Sequence, residues 1–354
     1  MPVELGLIEG FYGPPWSWAE RTATLAFLAP HGYRSYLYAP KGDAFLRRRW
    51  QEPHAPETAE RLAALAAHCR SAGIRFGIGL SPYDAFRDFD ATARAALARK
   101  LAFCDELAVE DLAILFDDMR GDVPRLAERQ AELVEWAASR TGASRLMVCP
   151  SYYSDDPLLD RIFGARPDGY LHELGRRLDP AIEIFWTGTA ICARTHEPAD
   201  FARIAEELGR RPRLWDNYPV NDTARMSQHL HLRGFTGRPA ALAEHISGHA
   251  INGALQPTLT RIPALTLLQS YREGSAYAPE RATLEAATAV LGAQLGAMLV
   301  EDVALLQDVG LDALGEHAGG LRTRYAAVDH AGAREVVAWL DGAYRVTDEL
   351  VRSQ

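Results

Sequence analysis

The chain has 354 residues, of which 48% are hydrophobic and 24% charged, and its formal net charge is -9. That length exceeds a minimal domain and suits one large barrel with an appendage, and the composition supports a sizeable buried core. The acidic balance repels a phosphate backbone, which argues against nucleic acid as a partner.

Apolar, β-branched runs recur along the chain at Val3–Ile8, Ser35–Tyr38, Ile74–Leu80, Asp111–Phe116, Arg145–Val148, Ile182–Trp186, Arg213–Trp215 and Ala250–Asn252. Segments with helical periodicity lie between them. Leu62, Leu65, Ala66 and Cys69 fall on one face of such a segment, and Leu126, Gln130, Leu133, Val134 and Ala137 on one face of another. Strands alternating with helices imply parallel βα units. The count and length predict an α/β fold, a (β/α)8 TIM-type barrel, with a doubly wound sheet as the structural alternative. From about Pro279 the strand signal stops. Glu280–Gln307 reads as one long helix and Ala333–Val351 as a second, amphipathic one. The glycines between them, Gly310, Gly315, Gly319 and Gly320, read as a loop or helix–helix turn. The expected division is a catalytic barrel over 1–275 and an α-helical region over 276–354, packed on the barrel or on a partner chain. The apolar face of these last helices permits a homodimer.

Met1 to Gly10 has no charged stretch followed by a long apolar run, so it reads as a strand and not a secretory leader. No stretch reaches the roughly 18 apolar residues that span a bilayer. The scattered Cys69, Cys104, Cys149 and Cys192 form no CxxC and are expected as buried thiols. A cytoplasmic protein without a membrane partner is the expectation. Lysine occurs only at Lys41 and Lys100 in an arginine-rich chain, which singles out both positions.

In a barrel of this kind chemistry sits at the C-terminal ends of strands. All eight predicted ends carry polar or aromatic residues, including Tyr12, Lys41, Tyr152, Tyr153, Trp186, Trp215, Asn217 and Asn252. Turn chemistry explains the Gly, Pro, Asn and Asp among them, but not the Trp and Tyr. Aromatic faces beside carboxylates and amides suit a sugar: rings stack while fixed polar groups read hydroxyls.

Asp117-Asp118 is the sharpest feature, because it follows the buried run Leu112–Phe116 directly. Two adjacent buried carboxyls should raise at least one pKa, which suits a general acid. Helix capping is the competing explanation, but Asp122, with Pro124 in the first turn, reads as the better cap. Two-carboxylate glycosidases place the pair on opposite sides of the scissile bond, roughly 5–10 Å apart. Adjacent residues cannot easily do that. Either a distant acid completes the pair, or the substrate supplies the nucleophile through a 2-acetamido carbonyl. A metal site is a weaker reading: Asp-Asp could ligate Mg²⁺, but His229-x-His231 is expected in a surface helix or loop, and there is no HExxH or Cys/His cluster.

Six blocks in a fixed order carry a further signal. They are Gly6 to Trp16 (GLIEGFYGPPW), Tyr38 to Lys41, Phe116-Asp117-Asp118, Cys149 to Tyr153, Trp186-Thr187-Gly188, and Trp215 to Asp222. Together they resemble glycoside hydrolase family 84, the O-GlcNAcases and related β-N-acetylglucosaminidases, historically also labelled hyaluronidases. The resemblance implies a (β/α)8 barrel without metal or cofactor. It also implies a retaining hydrolysis of terminal β-linked N-acetylglucosamine through an oxazoline, on a GlcNAc-bearing glycoconjugate or glycoprotein. By position, Asp117 would polarise the acetamido N–H, and Asp118 would protonate the leaving oxygen and then activate water. Tyr153 would bond near the acetamido oxygen, and Trp215 would wall the acetamido pocket beside Asn217. Asp222, the Gly10 backbone and Lys41 would take hydroxyls, Asn252 matches a hydroxyl-contacting asparagine, and Tyr12 would line the same pocket. Lys41-Gly42-Asp43 stands where the family often has Lys-Asp-Asp, and Asn252-Gly253-Ala254 where Asn-Pro-Met is commoner. No accessory carbohydrate-binding module is expected beside the blocks. The competing readings are a non-hydrolytic N-acetylglucosamine-binding relative, an unrelated metal-dependent barrel, and a hyaluronan-directed hexosaminidase. The last needs an extended basic cleft that an acidic chain does not suggest.

Overall fold

A computed structural model describes residues 3–354 of the chain. Met1 and Pro2, part of the expected first strand segment, lie outside the described residues. Eight strands run in chain order: β1 (Leu5–Glu9), β2 (Tyr33–Tyr38), β3 (Arg75–Leu80), β4 (Asp111–Leu115), β5 (Arg145–Cys149), β6 (Glu183–Trp186), β7 (Arg213–Asp216) and β8 (Gly248–Asn252). Each pairs in parallel with the next, and β8 closes onto β1. A closed sheet has no edge, so the doubly wound alternative is excluded. The strands lie within two residues of their predicted positions, the usual uncertainty of element ends.

The predicted helix faces are the buried ones. Leu62, Leu65, Ala66 and Cys69 are buried on Pro56–Ser71, and Leu126, Gln130, Leu133, Val134 and Ala137 on Leu126–Ala138. The βα alternation fails once. The long connection after β7 carries only the short 3-10 turns Met226–Gln228 and Ala240–Glu244. Its backbone bonds go elsewhere: Gln307 Oε1 accepts from Leu232 N (2.8 Å) and Arg233 N (2.9 Å), and Leu230 N donates to Leu306 O (3.0 Å). Segment 304–309 of the C-terminal region therefore does for this loop what a helix does elsewhere.

The long helix expected over Glu280–Gln307 is three pieces: Pro279–Leu291, Ala293–Glu301 and a π-helical turn Ala304–Val309. Gly292 breaks it, at a φ of 82° that only glycine adopts freely. The two longer pieces then pack closely enough that a Cβ on Gly296 would lie 2.8 Å from the backbone of Ala287. Ala333–Val351 is likewise two helices, Ala331–Leu340 and Asp348–Ser353, parted at Gly342 (φ 79°). Gly319 and Gly320, expected in a loop, lie inside the helix His317–Ala326. These helices pack on the barrel, sharing a second hydrophobic core with Leu230, Leu232, Leu259, Ile262 and Leu265. Glu335 clamps the junction by accepting from Thr258 N (2.8 Å) and Leu259 N (2.9 Å), two of the orphan donors that begin the helix Pro257–Glu273.

The N-terminal mouth of the barrel is sealed by charge. Arg75, Arg145 and Arg213 interleave with Glu4, Asp111 and Glu183 at 2.7–3.6 Å. Burial works against the Glu4 carboxylate, but Arg75 and Arg213 outweigh it and hold its pKa at about 2.

Candidate active site

At the other mouth, β4 delivers Phe116, Asp117 and Asp118. Strand alternation would send adjacent side chains to opposite faces. Asp118 instead adopts φ 61°, in the left-handed region that aspartate tolerates better than most L residues. The chain turns there, and both carboxylates reach one ammonium. Lys41, carried by the loop after β2, donates to Asp117 Oδ2 and lies 3.1 Å from Asp118 Oδ2. Lys41 is buried, as is Lys100, which donates to Glu52 O (2.8 Å) outside the site. The other Asp117 oxygen, Oδ1, is buried with no hydrogen-bond partner among the described residues. Neither aspartate caps the next helix, and nor does Asp122. The helix Leu126–Ala138 starts behind Arg125 without a side-chain cap, and Asp122 is paired with Arg120 at the surface.

Tyr12, from the loop after β1, links the pair to the rest of the mouth. Its hydroxyl donates to Asp118 Oδ2 (2.6 Å), and its N–H donates to Asp222 Oδ2 (2.9 Å). A second network is built on β7 and β8. Trp215 Nε1 donates to Asn217 Oδ1 (3.0 Å), Asn252 Nδ2 donates to the same oxygen (3.1 Å), and Gly10 N donates to Asn252 Oδ1 (3.1 Å). Asn217 is fixed in turn by donating to Ile191 O (2.8 Å). Gly10 must be glycine because the Trp215 ring lies against it: a Cβ there would sit 2.6 Å from the indole. With the Gly10 N–H committed to Asn252, its carbonyl is the group left to face a ligand. Tyr153, at the end of β5, is 8% exposed, and the charges of Asp117 and Asp118 bear on its hydroxyl. All ten predicted site residues therefore gather at one mouth.

The expectation of a raised pKa in the aspartate pair is not met at Asp118. Burial alone would raise it, but Lys41, Arg47 and the Tyr12 hydroxyl overcome that and hold it at about 2. At the same mouth the Asp222 carboxyl is raised, pushed by burial to about 6. Counting two acids in an apolar run missed the cations that the fold brings to them.

Arg47 is the residue sequence reasoning missed. It sits in Arg47-Arg48-Arg49, which reads as a surface charge run, yet it is 3% exposed and its Nη2 lies 3.5 Å from Asp118 Oδ2. Nothing in its local sequence marks it. Asp216, between Trp215 and Asn217, belongs to a supporting cluster: Arg238 grips it in a fork (2.9 and 2.7 Å), and His249 Nε2 is 3.0 Å away. His229 and His231 are engaged by Gln307 O (2.9 Å) and Pro219 O (3.0 Å). Among the described residues, no group of three or more His, Cys, Asp or Glu is placed to hold a metal ion, and no helix is long and apolar enough to cross a membrane. Cys69, Cys104 and Cys149 are buried as expected, whereas Cys192, on the loop after β6, is exposed.

The beta-N-acetylglucosaminidase family model matches residues 5–302. Protein O-GlcNAcase of Mus musculus is 27% identical over 256 residues, covering 70% of this chain and 27% of that protein. Protein O-GlcNAcase of Rattus norvegicus aligns with the same identity and coverage. The chain thus spans about a quarter of the length of these curated relatives. Among solved structures, an O-GlcNAc hydrolase mutant from Thermobaculum terrenum superposes with a TM-score of 0.79 at 28% identity, over 96% of this chain and 80% of that one. With the family match running from β1 through the first C-terminal helices, the chain belongs to the beta-N-acetylglucosaminidase family of glycoside hydrolases.

Proposed function

We propose that the chain hydrolyses terminal β-linked N-acetylglucosamine with retention, using the substrate's acetamido oxygen as the nucleophile. Catalysis is assigned to the barrel (1–275), and support of the β7 and β8 loops to the helical region (276–354). The observation that carries this reading is Asp117 Oδ1, a buried carboxylate oxygen at this mouth with no partner among the described residues. A buried unpaired acceptor costs about 1–3 kcal/mol, and an acetamido N–H satisfies it. The polarised acetamido oxygen attacks the anomeric carbon while the bond to the leaving oxygen breaks, and Asp118 gives its proton to that oxygen. Water then opens the oxazoline from the same side as the departed group, returning a proton to Asp118.

The site as it stands keeps Asp118 ionised, so the acid role requires a change on binding. Lys41 supplies it. When its ammonium turns to a sugar hydroxyl, Asp118 loses one of the two cations that oppose its protonation. Tyr153 and Trp215 then bound the acetamido group with Asn217, while Asp222, Asn252 and the Gly10 carbonyl take hydroxyls. The names of the mouse and rat relatives favour protein-bound O-linked N-acetylglucosamine as the natural substrate. The test is hydrolysis of an aryl 2-acetamido-2-deoxy-β-D-glucoside followed by NMR. The β-anomer is expected to form first; initial α-anomer, or no hydrolysis, contradicts the proposal.

A further inference from the structure

Three groups converge on one oxygen of Asp118. Lys41 Nζ lies 3.1 Å from Oδ2, Tyr12 Oη donates to it at 2.6 Å, and Arg47 Nη2 lies 3.5 Å away while donating to Tyr12 Oη at 3.1 Å. Lys41 already has a role in the proposed reaction and Tyr12 lines the predicted pocket; Arg47 has neither part.

Its setting is unusual for a structural arginine. It follows the 3-10 turn Ala44–Leu46, and its backbone is fixed by Arg47 N donating to Ala44 O (3.1 Å) and Trp50 N donating to Arg47 O (3.2 Å). The guanidinium carbon lies 5.5 Å from the Tyr12 ring centroid and 6.0 Å from that of Tyr83. The side chain is nine-tenths buried, yet Nε and Nη1 have no hydrogen-bond partner among the described residues. The arginines at the opposite mouth spread their donors over several carboxylates; this one directs a single nitrogen at the acid and its tyrosine. A buried cation with idle donors is costly, so its retention beside Asp118 calls for a role.

We propose that Arg47 is a positioning residue of the hydrolysis, holding the Tyr12 hydroxyl and Asp118 Oδ2 in one line and supplying the positive charge that remains there when Lys41 turns to the sugar. This rests on the hydrolysis proposed above. As Asp118 gives up its proton, negative charge grows on the carboxylate that Arg47 faces. In the second step Asp118 must begin ionised, and Arg47 favours that state as well. The charged and titratable groups around Asp118 are Tyr12 from the β1 loop, Lys41 and Arg47 from the β2 loop, Asp117 on its own turn, Cys149 and Tyr153 from β5, and Asp222 from the β7 loop. Arg47 is the permanently charged one among them.

The experiment compares wild type, Arg47→Met, Arg47→Lys and Tyr12→Phe. It records kcat/KM against pH on an alkyl and on an activated aryl 2-acetamido-2-deoxy-β-D-glucoside, with thermal melting of each protein. Removing the charge makes Asp118 a weaker acid. Arg47→Met is therefore expected to move the alkaline limb upward by about one pH unit, and to lose on the order of 10- to 100-fold on the alkyl glycoside but much less on the aryl one. Arg47→Lys should return the limb toward wild type. Tyr12→Phe, which cuts the same line from its other side, should move the limb in the same direction, and it carries the test if Arg47→Met does not fold. Unmoved limbs in the folded variants, with equal losses on both substrates, overturn the role of Arg47 while leaving the hydrolysis intact. A wild type inactive on both substrates removes the hydrolysis and this role together.

Discussion

The two mouths of the barrel are both crowded with charge, and they use it in opposite ways. At the N-terminal mouth, Glu4, Asp111 and Glu183 interleave with Arg75, Arg145 and Arg213, so that each charge faces an opposite one. At the C-terminal mouth, Lys41 and Arg47 face Asp117 and Asp118. There Asp118 sits at φ 61°, and Asp117 Oδ1, Arg47 Nε and Arg47 Nη1 are buried without hydrogen-bond partners among the described residues. Balanced, saturated charge holds a fold. Strain and unsaturated hydrogen-bonding capacity mark the place where a ligand is meant to complete the structure.

Cutting one charge at each mouth should separate the two uses. At the C-terminal mouth, Asp118→Ala is expected to lower kcat/KM on a glycoside with a poor leaving group by about 10²- to 10⁴-fold. The loss on an activated aryl glycoside should be far smaller. An equal loss on both substrates would remove Asp118 from the acid role. At the N-terminal mouth, Arg213→Met leaves Glu4 and Glu183 short of a partner and is expected to cost roughly 3–5 kcal/mol of stability by denaturant unfolding. Its activity per folded molecule should equal that of wild type; a large loss there would couple the mouths.

Titration sharpens the contrast further. The Glu4 pKa is lowered from 4.5 to about 2 in the folded chain, so its contribution to stability is complete above 4.5 and lost as pH falls through 2. The Asp222 pKa is raised from 3.8 to about 6, so the folded chain holds that proton more tightly. Its contribution is present below 3.8 and lost as pH rises through 6. Stability profiles of Glu4→Gln and Asp222→Asn should therefore each flatten, in different windows and with opposite slopes. Profiles parallel to wild type would contradict the assigned environments.

The sequence made the barrel readable because hydrophobic periodicity and strand length are local properties. The faces carrying Leu62 and Leu133 follow from them directly. The strand ends could be read for the same reason, since a barrel of this type dictates where its loops converge. What escaped was non-local. The connection after β7 forgoes a helix because Gln307 and Leu306, far along the chain, satisfy its backbone. Gly292 and Gly342 break helices whose apolar pattern runs straight through them. Arg47 looks like its neighbours Arg48 and Arg49 until folding buries it beside Asp118, and for that reason the lowered pKa of Asp118 is not legible in the sequence.

The most direct measurement compares an aryl 2-acetamido-2-deoxy-β-D-glucoside with its N-trifluoroacetyl analogue, using wild type and Asp117→Ala. Fluorination weakens the amide oxygen as a nucleophile without moving it. A steep fall for wild type, and an Asp117→Ala variant impaired on the natural amide by on the order of 10²-fold or more, is the expected result. Equal rates on the two substrates would mean that the acetamido group takes no part in bond breaking, and would contradict the role given to Asp117.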